Sequence, residues 1–133
     1  MKKIMTLLGC IVLLIASSCT KQYISPSNQT FFADITANDW SLTTDLSGIK
    51  SYAAPINIAA LNNNYATNGG VIVSISYDGG STYEQLPEVY AGVSYSFTYN
   101  AGNLTLYAQS ADGNTAILPT SAIKVKVILV QSS

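Results

Sequence analysis

The sequence predicts an all-β protein: an antiparallel β-sandwich of about seven strands, immunoglobulin-like or similar, behind a separate N-terminal signal helix. Three observations predict it. Apolar and polar residues alternate with period two through most of the chain. The alternating segments are rich in β-branched and aromatic residues. Clusters of Gly, Asn, Asp and Ser separate them at intervals of about 8–12 residues.

The elements follow in order. Residues 31–36, 40–43 and 49–58 are expected strands, with Pro55 demoting the last to an edge or splitting it. A short helical turn is expected within residues 58–66, stopped by Asn68-Gly69-Gly70. Val71, Val73, Ile75 and Tyr77 then alternate with Ile72, Ser74 and Ser76. Val93, Tyr95, Phe97 and Tyr99 alternate with Ser94, Ser96 and Thr98. Leu104, Leu106 and Ala108 alternate with Thr105, Tyr107 and Gln109, and Ile123, Val125, Val127 and Leu129 with Lys124, Lys126 and Ile128. The turns Asp78-Gly79-Gly80-Ser81 and Asn100-Ala101-Gly102-Asn103 predict two hairpins. These near-continuous C-terminal hairpins leave a closed barrel open as an alternative. Of the 115 residues from Cys19 onward, 52 are hydrophobic, enough for a core without disulfides.

The N-terminus is of a different kind. Lys2 and Lys3 precede a thirteen-residue apolar run, residues 4–16, interrupted only by Thr6. As a helix it spans about 20 Å, short of a hydrocarbon core of about 30 Å, so it is expected to be a signal-peptide core and not a membrane span. The segment Ile15-Ala16-Ser17-Ser18-Cys19-Thr20 resembles the lipobox of bacterial lipoproteins, with Ala16 where that pattern prefers Leu. The resemblance implies cleavage before Cys19 and lipidation of its thiol. A lone mature cysteine in an oxidising compartment is otherwise a pairing hazard, and Cys10 leaves with the signal. Two or three acyl chains hold a protein firmly where one does not. The expected organisation is residues 1–18 as lipoprotein signal peptide, 19–29 as lipidated cysteine and flexible tether, and 30–133 as the β-sandwich domain.

Gly70-Val71-Ile72-Val73-Ser74-Ile75, Tyr83-Glu84-Gln85-Leu86-Pro87, the Tyr95-to-Tyr99 strand, Gly102-Asn103-Leu104-Thr105-Leu106 and Ile123-Lys124-Val125-Lys126-Val127-Ile128 carry a further resemblance. With the signal, they are similar to small lipoproteins of Bacteroidota that join a lipobox to a compact β domain, often through a collagen-like linker. That linker is absent here, and no catalytic residue or ligand comes with the resemblance. By likeness to lipoprotein sorting in Gram-negative bacteria, Thr20 after the cysteine implies the outer membrane. Thr20-Lys21-Gln22-Tyr23 lacks the acidic cluster common in surface-exposed lipoproteins, which favours the periplasmic face.

Composition removes whole chemistries. The chain has no His and no Arg, so a His-based triad, a His-ligated metal, an arginine phosphate clamp and an arginine-rich nucleic-acid face are excluded. From Cys19 on, four lysines stand against seven acids, a formal charge of −3, which discourages nucleic acid as a partner. No nucleophile motif occurs, so an enzyme is not expected, nor is any cofactor. Glu84 and Glu88 flank Leu86-Pro87 and are within reach of each other across that bend, but a solvated loop explains them more simply. The acidic turns at Asp78 and Asp112 lack calcium-loop spacing and are explained by turn capping, so no metal site is assigned.

What remains is aromatic. Nine Tyr, three Phe and Trp40 lie in the mature chain, and Tyr83, Tyr90, Tyr107 and Trp40 are the candidate contacts for a ligand or partner. The expected role is a non-catalytic structural or protein-interaction module anchored to the envelope membrane by lipid on Cys19. The alternative is a carbohydrate-binding module using exposed Tyr and Trp. Three coplanar aromatics on one exposed face would favour the glycan, and a long uncovered strand edge would favour a protein.

Overall fold

A computed structural model describes residues 28–132. The expected signal peptide, Cys19 and the expected tether as far as residue 27 lie outside the described residues. Among the described residues nine strands are present: β1 (Gln29–Ile35), β2 (Ser41–Thr44), β3 (Lys50–Asn57), β4 (Gly70–Ser76), β5 (Glu84–Gln85), β6 (Glu88–Tyr90), β7 (Val93–Asn100), β8 (Asn103–Ser110) and β9 (Ile123–Val130). The described residues also hold one helix, α1 (Asn63–Thr67), and a 3-10 turn at Ala37–Asp39. The strands form two antiparallel sheets ordered β1-β9-β4-β5 and β2-β3-β8-β7-β6, with four free edges, so the sandwich holds and the barrel does not close. β1 begins at Gln29, within the stretch expected to be tether.

Alternation decides which face each strand buries. On β9, Ile123, Val125, Val127 and Leu129 are buried while Lys124 and Lys126 face outward. Val73 and Ile75 of β4 meet them on one layer, and Ala54, Tyr95, Leu104, Leu106 and Ala108 supply the other. Each large apolar side chain fully buried in this way contributes about 1.5–3 kcal/mol.

Pro55 neither splits β3 nor puts the whole strand at an edge. β2 pairs with Lys50 to Ala53 and β8 with Tyr52 to Asn57, so β3 has a strand on both sides only at Tyr52 and Ala53 and is an edge from Ala54 on. Opposite Thr105, the missing N–H of Pro55 falls on the uncovered side. The two strands beyond the expected seven are β5 and β6, which belong to different sheets. The chain crosses between them at Leu86-Pro87, a cis peptide bond.

Three other crossings close the core, the last of them from β8 to β9 through residues 111–122. Between β1 and β2, Asp39 accepts from the Thr36 backbone N–H (2.7 Å) and hydroxyl (2.8 Å), which fixes the turn that brings Trp40 inside. Between β3 and β4, the Asn62 side chain caps α1 by accepting from the N–H groups of Asn64 and Tyr65. Tyr65 is buried, and its hydroxyl accepts from the Gln29 amide at 3.2 Å.

Candidate functional site

Pairing registers assign the two ends of the sandwich. Gln29, Gly70 and Val130 share one end of the first sheet, and Ile35, Ser76 and Ile123 the other. In the second sheet Asn57, Asn100 and Asn103 lie at one end, and Val93 and Ser110 at the other. α1 joins the first ends of both sheets. The Ile58 N–H donates to Gly102, the Gly102 N–H donates to Leu61, and α1 leads directly into Gly70. The chain therefore enters the domain at this end.

A cleft opens at the opposite end, where Tyr77 leaves β4 and Tyr90 ends β6. Their rings stack 3.8 Å apart at 10°. Tyr77 also meets Tyr95 at 6.0 Å, and Tyr95 meets Trp40 at 6.4 Å, so a line of four aromatics runs from the surface into the core. The Tyr77 hydroxyl donates to Glu88 Oε1 at 2.7 Å.

Burial raises the Glu88 carboxyl above its ordinary value, and the neighbouring Glu84 carboxylate raises it further against the lowering effect of Tyr77. Burial and Glu88 together push the Tyr77 phenol well above its usual value, and burial does the same to Tyr95. Beside the stack lies a cavity of about 220 Å³, walled by Val93, Ile123 and residues 117–121. A second hollow of about 270 Å³, on the side of Asp78, Thr82 and Glu84, shares Tyr77 and Tyr90.

Of the four aromatic candidates, only Tyr90 belongs to this cleft, where it is 43% exposed. Tyr83 is half-buried on the outer face of the first sheet. The Lys126 ammonium sits 4.2 Å from its ring centre and Phe32 lies 6.4 Å away. Tyr107 is half-buried on the outer face of the second sheet, near Thr98. Trp40 is only 6% exposed and offers no surface to a partner, which corrects that expectation: the turn before β2 folds its ring onto Tyr95. The structure therefore disperses the four candidates and does not assemble a platform from them.

Tyr77 and residues 117–121 were not singled out from the sequence. Tyr77 continues the inward alternation of β4, which signals core, and residues 117–121 carry no periodic signal. Glu84 and Glu88 do come together across the Leu86-Pro87 bend. The acidic turns are engaged with their own backbone. Asp78 Oδ1 accepts from Ser76 Oγ (2.7 Å), Ser81 N (3.0 Å) and Thr82 N (2.9 Å), which holds its carboxyl well below the usual range. Asp112, accepting from Ser110 Oγ and Asn114 N, is lowered to about 2.

Charge is divided between the ends. The entry-end segments 28–33, 57–70, 99–104 and 127–132 contain no charged residue, whereas all seven acids lie in or beside the far half. Among the described residues β1 is also a seven-residue sheet edge with no strand on its outer side, and Phe32 on it is 61% exposed. No protein-family model, curated protein or solved structure matches the chain.

Proposed function

We propose that this is a lipid-anchored protein of the cell envelope, held through Cys19 at the outer membrane with the periplasmic face favoured, whose sandwich is a non-catalytic structural or protein-interaction module. One observation carries the reading. The chain enters the domain at an uncharged end, and the aromatic cleft and the acids lie at the other. A tether from Cys19 would leave the neutral end facing anionic headgroups, avoiding repulsion, and turn the cleft away from them. Residues 20–28, up to the start of β1, reach at most about 32 Å, so the module would work close to its membrane. The uncovered β1 edge adds a place where a partner's strand can pair.

The test has two parts. Mass analysis of the N-terminal peptide should find acylated Cys19, and Cys19→Ala should move the protein from the membrane fraction to the soluble one; an unmodified Cys19 refutes the anchor. Co-purification from native membranes should recover an envelope protein, and recovery of lipid alone refutes the partner.

A second reading, neutral glycan binding, is favoured by one observation. Around Tyr107 the outer face of the second sheet forms a hollow of about 440 Å³, lined by Thr43, Asp45, Ser51, Ser96, Thr98 and Gln109 among others. Hydroxyls, an amide and the single carboxylate of Asp45 around one ring suit a sugar, which stacks on aromatics and hydrogen-bonds at its rim. Binding of a neutral oligosaccharide array that is lost in Tyr107→Ala would establish it, and a blank array would end it.

A further inference from the structure

Resting on the interaction-module reading, we propose that the far-end cleft receives a basic segment of a protein partner, an aliphatic side chain filling the cavity beside the Tyr77–Tyr90 stack and an adjacent Arg or Lys lying on Tyr90 and the acidic rim. The cavity is sized and lined for the first of these groups. At about 220 Å³ it is below the range of pockets that enclose whole small molecules, and its lining is mainly apolar, with Val93, Ile117, Pro119 and Ile123 beside Thr120 and Ser121. Leu118, 39% exposed at its mouth, leaves apolar surface that a partner's side chain would cover.

The second group is specified by Tyr90. One face of its ring is occupied by Tyr77 at 3.8 Å, the residue is exposed, and the other face is where a cation can sit over the ring. The neighbouring hollow brings Asp78 and Glu84 to the same ring, and no lysine lines either hollow. Three donors converge on Asp78 and keep it charged at any physiological pH. A cation therefore meets negative charge that nothing in the lining neutralises. With one face stacked on Tyr77, Tyr90 has one ring face left for a ligand, which suits a planar guanidinium or an ammonium better than an extended sugar chain.

The test uses the full-length protein in detergent and fluorescent pentapeptides in anisotropy titrations. The basic aliphatic peptide Gly-Arg-Leu-Lys-Gly should bind, and raising salt from about 0.05 to 0.5 M should weaken it by about fivefold or more. The acidic Gly-Glu-Leu-Glu-Gly should not bind, and Gly-Arg-Gly-Lys-Gly should bind about tenfold more weakly for want of the aliphatic group. Tyr90→Ala should cost about tenfold and Glu84→Gln, at an exposed carboxylate, about threefold. A circular-dichroism melt matching the wild type keeps Glu84→Gln free of folding effects. Equal affinity for the acidic and basic peptides overturns the proposal, as does unchanged affinity in both variants. Cross-linking from a photoreactive residue at Phe32 separates the two levels. An envelope partner captured there while the peptides fail overturns the cleft assignment and leaves the interaction module standing.

Discussion

Replacing Gly69 by Ala should destabilise the domain severely, whereas the same change at the adjacent Gly70 should not. Neither glycine has a positive φ, so the difference is one of space. A Cβ on Gly69 would run into the Val130 carbonyl oxygen, well inside van der Waals contact, and would lie 3.2 Å from both the Tyr65 Cα and the Tyr65 carbonyl oxygen. All three obstacles are backbone, so no side chain can rotate away. Relief requires moving the last turn of α1, where the Gly69 N–H donates to Asn64 at 3.1 Å, or the Gly70–Val130 rung that opens the β4–β9 ladder.

Overpacking of this kind costs about 1–3 kcal/mol, and a broken hydrogen bond adds about 1 kcal/mol. A total near 3 kcal/mol corresponds to a fall in Tm of roughly 12–24 °C for a domain of this size. At Gly70 an added Cβ meets nothing within 4 Å, and the less flexible unfolded chain should stabilise by about 0.4–1 kcal/mol. Thermal melts followed by circular dichroism, with urea titrations to confirm an unchanged m-value, measure both variants. If Gly69→Ala melts within a few degrees of the wild type, or Gly70→Ala falls as far, the close approach does not constrain the fold as reasoned.

Three further outcomes are expected. Glu88→Gln keeps an oxygen for the Tyr77 hydroxyl but removes a carboxylate whose folded pKa is raised. A raised acid loses stability as pH climbs from its ordinary value through the folded one, so the variant should be the more stable at pH 7.5 and the gap should close near pH 4. A gap of equal size in urea melts at both pH values would contradict this. Asp78→Asn should lower the Tm at pH 7, because the depressed Asp78 carboxyl stabilises the native state above the ordinary carboxylate range. That advantage is lost as pH falls, so Tm values for the two proteins should converge towards pH 2, and a constant difference would exclude the assigned cause. Leu106→Ala, fully buried between Ala54 and Phe97 on neighbouring strands, should cost about 3–4 kcal/mol by denaturant titration; a loss under 1 kcal/mol would mean the layer repacks.

The strands were legible because a half-buried sheet writes its two faces into successive residues. β4, β7, β8 and β9 fall within a residue or two of where alternation places them, and the turn at Ala101-Gly102 joins β7 to β8. Where a strand is two or three residues long, as in β5 and β6, the period never completes and the pattern carries no signal. The same limit governs the cleft. Tyr77 and Tyr90 are thirteen positions apart on different sheets, and their stacking depends on where the chain crosses at Leu86-Pro87. Trp40 shows the converse: its type suits either a core or a contact surface, and only the turn at Thr36 to Asp39 sends it inward.

By itself, then, the sequence determined the β architecture, the composition that excludes His and Arg chemistry, and the expectation of a lipid anchor at Cys19. These depend on local periodicity, on which side chains exist and on a short linear motif. Tertiary structure alone decided that the uncharged end is where the chain enters, that the acids gather at the other, and that Tyr77, Tyr90 and residues 117–121 enclose one cavity. The physical reason is that a binding site is a relation between faces of different strands. Pairing register and sheet crossings set that relation, and neither is encoded within any single segment.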